Sequence, residues 1–68
     1  MNITVRLTRK NEEKQIEIKD KSKIEDVLNK LDLKPDTVIV MYKNQPLPID
    51  EKLIDGQELT ILQVSSGG

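Results

Sequence analysis

The sequence predicts an α+β fold in which one helix packs on one face of a mixed β-sheet, with elements in the order β-β-α-β-β-β. Three observations lead there. Apolar and polar residues alternate near both ends of the chain, a single intervening stretch carries apolar residues at helical spacing, and 68 residues suffice for one small domain only. At this size about 60% of the unfolded surface can be buried, so the apolar positions of every element must serve one shared core.

Each element follows from its residues. Ile3, Val5 and Leu7 alternate with Asn2, Thr4, Arg6 and Thr8, the period of a strand with one buried face. Polar residues 9–13 follow, with Asn11 suited to a left-handed turn, and Ile16 and Ile18 then alternate with Gln15, Glu17 and Lys19. These pieces read as an N-terminal hairpin. Ser22-Lys23-Ile24-Glu25 spells a capping box, after which Ile24, Val27, Leu28 and Leu31 share one helical face. The helix is expected to stop before Pro35, with Leu33 tucked beneath it. Residues 37–42 form an apolar run, hence a strand covered on both faces or meeting a partner on its outer one. Lys43-Asn44 makes a tight turn, and Pro46 and Pro48 restrict the next strand to a short edge piece. Leu53 and Ile54 lead into an Asp55-Gly56 turn, and residues 58–64 form the final strand.

In so short a chain this order leaves few architectures. The first and last strands are most simply parallel neighbours at the centre, because the helix supplies the crossover between them. That arrangement is the β-grasp, or ubiquitin-like, fold. The expected core is Ile3, Val5, Leu7, Ile16 and Ile18 from the hairpin and Ile24, Val27, Leu28, Leu31 and Leu33 from the helix and its end. Val38, Val40, Leu47, Leu53, Leu59 and Ile61 complete it. Residues 1–64 are read as the domain and residues 65–68 as a flexible tail ending in Gly67-Gly68.

Composition excludes several classes of function. Without Cys there is no disulfide, thiolate metal site or cysteine nucleophile, and without His the side chain best suited to acid–base work near neutrality is missing. Glu12-Glu13 and Asp50-Glu51 are adjacent acids expected in loops, with neither a deep pocket nor the spacing of an EF-hand. The chain is therefore not expected to be an enzyme, nor to bind a cofactor or metal of its own. Eleven basic and twelve acidic residues are interspersed, and Tyr42 is the single aromatic residue, so no basic stripe or stacking surface for nucleic acid is present. No apolar run approaches a membrane span. A monomer in the cytoplasm, with no direct contact to nucleic acid or membrane, is the expectation.

What remains is a surface and a tail. With Val38, Val40 and Tyr42 turned inward, Ile39 and Met41 point outward; with Leu59 and Ile61 inward, Thr60, Leu62 and Val64 point outward. Adjacent strands would join Ile39, Met41, Leu62 and Val64 into one apolar patch leading into Ser65-Ser66-Gly67-Gly68. Contiguous apolar surface on a small domain marks an interface, whereas scattered apolar residues are ordinary. The terminal Gly-Gly has no side chains to obstruct entry into a narrow cleft, and five extended residues reach about 13–15 Å. The carboxylate of Gly68 is thus the candidate reactive group.

Asp55-Gly56-Gln57-Glu58-Leu59, then Ile61, Leu62, Gln63, Val64 and the terminal Gly67-Gly68, resembles the C-terminal signature of the ThiS/MoaD sulfur carriers, which are similar to the ubiquitin-related modifiers of archaea and eukaryotes. Asn44-Gln45-Pro46-Leu47-Pro48 resembles the turn and short strand before it, while Ser65-Ser66 is more polar than that family's usual tail. The resemblance implies that an adenylating enzyme of the ubiquitin-activating, ThiF or MoeB type docks on the patch and supplies ATP and Mg. It also implies a sulfur donor that converts the adenylated Gly68 to a thiocarboxylate, for delivery to a thiazole or molybdopterin synthase subunit or to tRNA thiolation. A modifier joined to lysines through Gly68 is the near alternative. A non-covalent binding module is the more distant one.

Overall fold

Alternation at the start of the chain becomes β1 (Asn2–Leu7), with Ile3 and Val5 buried and Leu7 half-buried. The computed structural model describes residues 1–64. The chain reverses through Asn11, whose φ of 51° is left-handed, into β2 (Glu12–Glu17). The two strands are antiparallel, with Ile3 opposite Ile16 and Leu7 opposite Glu12.

The helix, α1 (Ile24–Lys30), starts one position later than a Ser22 cap requires. Lys23 occupies the cap position, and the Asp26 carboxylate, not that of Glu25, accepts its N–H at 2.8 Å. Tertiary pairing has displaced the local motif. Ser22 is buried, its carbonyl accepts the Leu53 N–H at 3.0 Å, and Lys23 bridges to Lys52. The next two N–H groups, of Ile24 and Glu25, donate to the carbonyls of Glu51 and Ile49 at 2.9 and 2.8 Å, so a loop rather than a hydroxyl completes the cap.

At its other end α1 stops before Pro35, as expected, but does so four residues earlier through its own closure. Asp32 turns left-handed (φ 58°), its N–H donates to Asn29 carbonyl at 3.1 Å, and the Leu33 N–H donates to Leu28 carbonyl at 2.8 Å. This is a Schellman ending, and it draws Leu33 back beneath the helix, half-buried. A single 3-10 turn (Pro35–Thr37) leads into β3 (Val38–Tyr42). Lys43 and Asn44 both adopt positive φ, 50° and 66°, the two-residue turn whose twist matches a hairpin, and β4 (Gln45–Leu47) returns along β3. Gly56 (φ 79°) then sets the turn before β5 (Glu58–Gln63), which ends one residue short of Val64.

The strand order is β2-β1-β5-β3-β4. β1 and β5 run parallel at the centre, Val5 beside Leu59 and Leu7 beside Ile61, and every other pair is antiparallel. This is the α+β, β-grasp arrangement the sequence predicts. Every buried apolar residue belongs to the expected core: Ile3, Val5, Ile24, Val27 and Leu28, with Val38, Val40, Leu53, Leu59 and Ile61. Leu7, Ile16, Ile18, Leu31, Leu33 and Leu47 are half-buried instead. They sit on edge strands or at element ends, where a core this small runs out of neighbours.

Candidate functional site

The face of the sheet opposite α1 is built from the outward positions of the strands. Parallel and antiparallel registers carry one row across all five of them: Glu13, Arg6, Thr60, Met41 and Pro46. Its β2–β1 end is charged, the Arg6 guanidinium lying 3.5 Å from the Glu13 carboxylate, and its β3–β4 end is apolar. One row further toward the end of β5, Ile39 stands directly opposite Leu62. Residues so paired have Cβ atoms about 5 Å apart, close enough for their side chains to touch.

Ile39 is 40% exposed and Val64 58%, while Met41 and Leu62 are half-buried. The Val64 N–H donates to the Thr37 carbonyl at 2.9 Å, which holds the chain alongside β3 for one residue beyond β5. Sequence reasoning placed Ile39, Met41, Leu62 and Val64 on one side of the sheet, and the register brings them to adjoining positions on β3, β5 and the residue that follows it. Ser65, Ser66, Gly67 and Gly68 lie outside the described residues.

The Asp55-Gly56-Gln57-Glu58-Leu59 segment has a structural task. Asp55 Oδ1 accepts the Asn2 N–H at 2.9 Å, the Gly56 N–H donates to the Asn2 carbonyl at 2.8 Å, and the Gln57 carbonyl accepts the Thr4 N–H at 3.0 Å. These bonds start the parallel pairing of β1 with β5 and so fix where β5 leaves the sheet. Gln57 is itself buried, its Oε1 accepting the Ile54 N–H at 3.0 Å. Sequence reasoning missed Gln57 as an interior residue; its place immediately after an Asp-Gly turn and before an alternating strand was the available signal. Among the described residues, no group of three or more His, Cys, Asp or Glu side chains is arranged to hold a metal ion, and no helix is long and apolar enough to cross a membrane.

Among the described residues, one α-helix over this mixed sheet, with the first and fifth strands parallel at the centre, defines a protein of ubiquitin-like fold. Residues 1–65 match the model of the small archaeal modifier protein 2 family, and the chain belongs to that family. It is similar to the sulfur carrier protein TtuB of Thermus thermophilus, with 29% identity over 68 residues and all of both chains covered. An uncharacterized protein of Archaeoglobus fulgidus is 31% identical over 58 residues, covering 84% of this chain and 85% of that one. The fold matches the crystal structure of SAMP1 from Haloferax volcanii with a TM-score of 0.76, 16% identity and all of both chains covered. The family's name is that of a modifier, and the TtuB relative is named as a sulfur carrier.

Proposed function

We propose that this chain is a sulfur carrier whose Gly68 carboxylate is activated by a partner enzyme docked on Ile39, Met41, Leu62 and Val64. The observation that carries the reading is the Ile39–Leu62 pair with exposed Val64 beyond it, apolar surface set where β5 leaves the sheet toward Gly67-Gly68. Likeness to a named sulfur carrier along the whole chain supports it.

A carboxylate is a poor electrophile, and this sequence holds no phosphate-binding loop, so nucleotide and Mg come with an adenylating enzyme of the ubiquitin-activating type. Attack of the Gly68 carboxylate on the α-phosphate of ATP forms an acyl adenylate and releases pyrophosphate. Sulfide from a sulfur donor then adds to the acyl carbon and AMP leaves, giving the thiocarboxylate. Where a persulfide attacks instead, the acyl disulfide formed is cleaved by a thiol to the same product. The acceptor is a small-molecule pathway, such as thiamine or molybdopterin formation, or tRNA thiolation. Throughout, Gly68 is the substrate atom carrier and the domain is its handle.

The family description as a modifier favours a second reading, in which a lysine amine attacks the same acyl adenylate and an isopeptide bond forms. The two separate by product. Intact-mass spectrometry after incubation with an activating enzyme of this type, ATP, Mg and sulfide is expected to show one oxygen of the chain replaced by sulfur. A Gly68→Val chain should remain unmodified and folded. Higher-mass conjugates on lysines in place of the sulfur exchange would establish the modifier, and normal adenylation of Gly68→Val would defeat both readings.

A further inference from the structure

The Asp55-Gly56 step carries a chemistry that the proposed function does not use. In an Asp-Gly pair no side chain on the second residue keeps its main-chain nitrogen from the carboxyl carbon of the first. The Gly56 nitrogen can bond to Asp55 Cγ, while one carboxyl oxygen departs as water with the amide proton and a proton from solvent. Water then opens the succinimide ring that has formed. Opening at Cγ restores aspartate. Opening at the main-chain carbonyl leaves Gly56 joined through Cγ, an isoaspartate whose α-carboxylate has become the side group, and mass is unchanged over the cycle.

The fold blocks the first of these steps through one residue. Asp55 Oδ1 accepts the Asn2 N–H at 2.9 Å, and the Asn2 carbonyl accepts the Gly56 N–H at 2.8 Å. Asn2 thus engages both the carboxyl group that must react and the nitrogen that must attack it. Met1 and Ile18 exchange bonds at 2.7 and 2.8 Å, so the alternation of the β1–β2 ladder turns both main-chain groups of Asn2 away from β2 and toward this turn. The turn is closed a second time, the Gln57 N–H donating to the Ile54 carbonyl and the Ile54 N–H to Gln57 Oε1, both at 3.0 Å. Asp55 and Gly56 are exposed, so water for the hydrolysis is at hand and the protection comes from geometry.

We propose that Asp55-Gly56 is a modification site gated by Asn2, unreactive while β1 is paired with the start of β5 and converted to isoaspartate in proportion to the time that pairing spends open. Asn2 is the first residue of β1, and strand ends open at a lower free energy than strand centres. The product does not fit back. Isoaspartate puts one more atom into the main chain ahead of Gln57, whose carbonyl accepts the Thr4 N–H at 3.0 Å and whose side chain is buried. The central pair then no longer closes in register, and the new α-carboxylate is a substrate for an isoaspartyl carboxyl methyltransferase.

The test is to age the full chain in neutral buffer beside a synthetic peptide of residues 53–68. Trypsin cuts the chain after Lys52 and releases the same segment, and chromatography separates the isoaspartyl form from its parent of equal mass. The folded chain is expected to convert about tenfold or more slowly than the peptide. Asn2→Pro removes the N–H that holds Asp55 Oδ1 and takes no bond from the β1–β2 ladder, so it should speed conversion about tenfold while the circular dichroism stays that of the folded chain. A urea series on the unaltered chain keeps the test decisive if Asn2→Pro unfolds: the rate should rise with the unfolded fraction. Conversion of the folded chain at the peptide's rate, an unchanged rate in folded Asn2→Pro, or a rate that stays flat across the urea transition would each overturn the proposal.

Discussion

Gln57 shows how much a single amide can decide in a domain of this size. It is 5% exposed, and its side chain accepts the Ile54 N–H just before the chain enters the central strand. Gln57→Leu keeps the volume and removes the acceptor, leaving a partly buried N–H without a partner. The expected loss is about 1–3 kcal/mol, read as a lower unfolding midpoint. Gly56→Ala tests the neighbouring backbone: no atom beyond the adjoining residues lies within 4 Å of the added Cβ, so the cost of about 1–2 kcal/mol comes from holding a side chain at φ 79°. The Asp55-Gly56 turn was legible in the sequence because both residues have strong local preferences for it. Gln57 was marked only by its place after that turn, because what buries an amide is the strand arriving from the other end of the chain.

Among the elements, alternation, one apolar run, turn residues and helical spacing located the strands and the helix, and boundaries shifted where tertiary bonds outweighed local ones. Ser22 carries the stronger capping signature, yet its backbone is committed to Leu53 and the cap falls to Lys23 with Asp26. Asp32 is the informative position at the other end. Asp32→Gly relieves a left-handed non-glycine residue and is expected to raise stability by up to about 1 kcal/mol in denaturant unfolding. On β3, Ile39→Asp places a charge on a 40% exposed site of an element whose inward neighbours stay untouched. The domain should keep its unfolding midpoint while affinity for an activating enzyme, measured calorimetrically, falls about tenfold or more; a matching loss of stability would instead mark Ile39 as a packing residue. The patch was legible because alternation on β3 and β5 leaves Ile39 and Leu62 over once the core is assigned. How Met41 and Leu62 come to be half-buried was not, since that depends on the neighbouring strands.

Taken as a whole the molecule depends on its middle. The parallel β1–β5 pair joins segments more than fifty residues apart, with the Thr8 side chain also donating to the Ile61 carbonyl at 3.1 Å across that distance. A chain of this length has about 3–10 kcal/mol of stability in all. Ile61, fully enclosed at the centre, should cost about 2–5 kcal/mol when cut to Ala, so Ile61→Ala is expected to be substantially unfolded at 37 °C by circular dichroism. The same topology governs the order of events on the ribosome. The sheet has no middle until residues 58–63 have been made and have left the exit tunnel, so the emerging hairpin and helix stay unsettled while the polypeptide is still being synthesised. Folding and presentation of the residues that follow β5 are thereby tied to one moment, because the strand that completes the sheet is also the one that immediately precedes them.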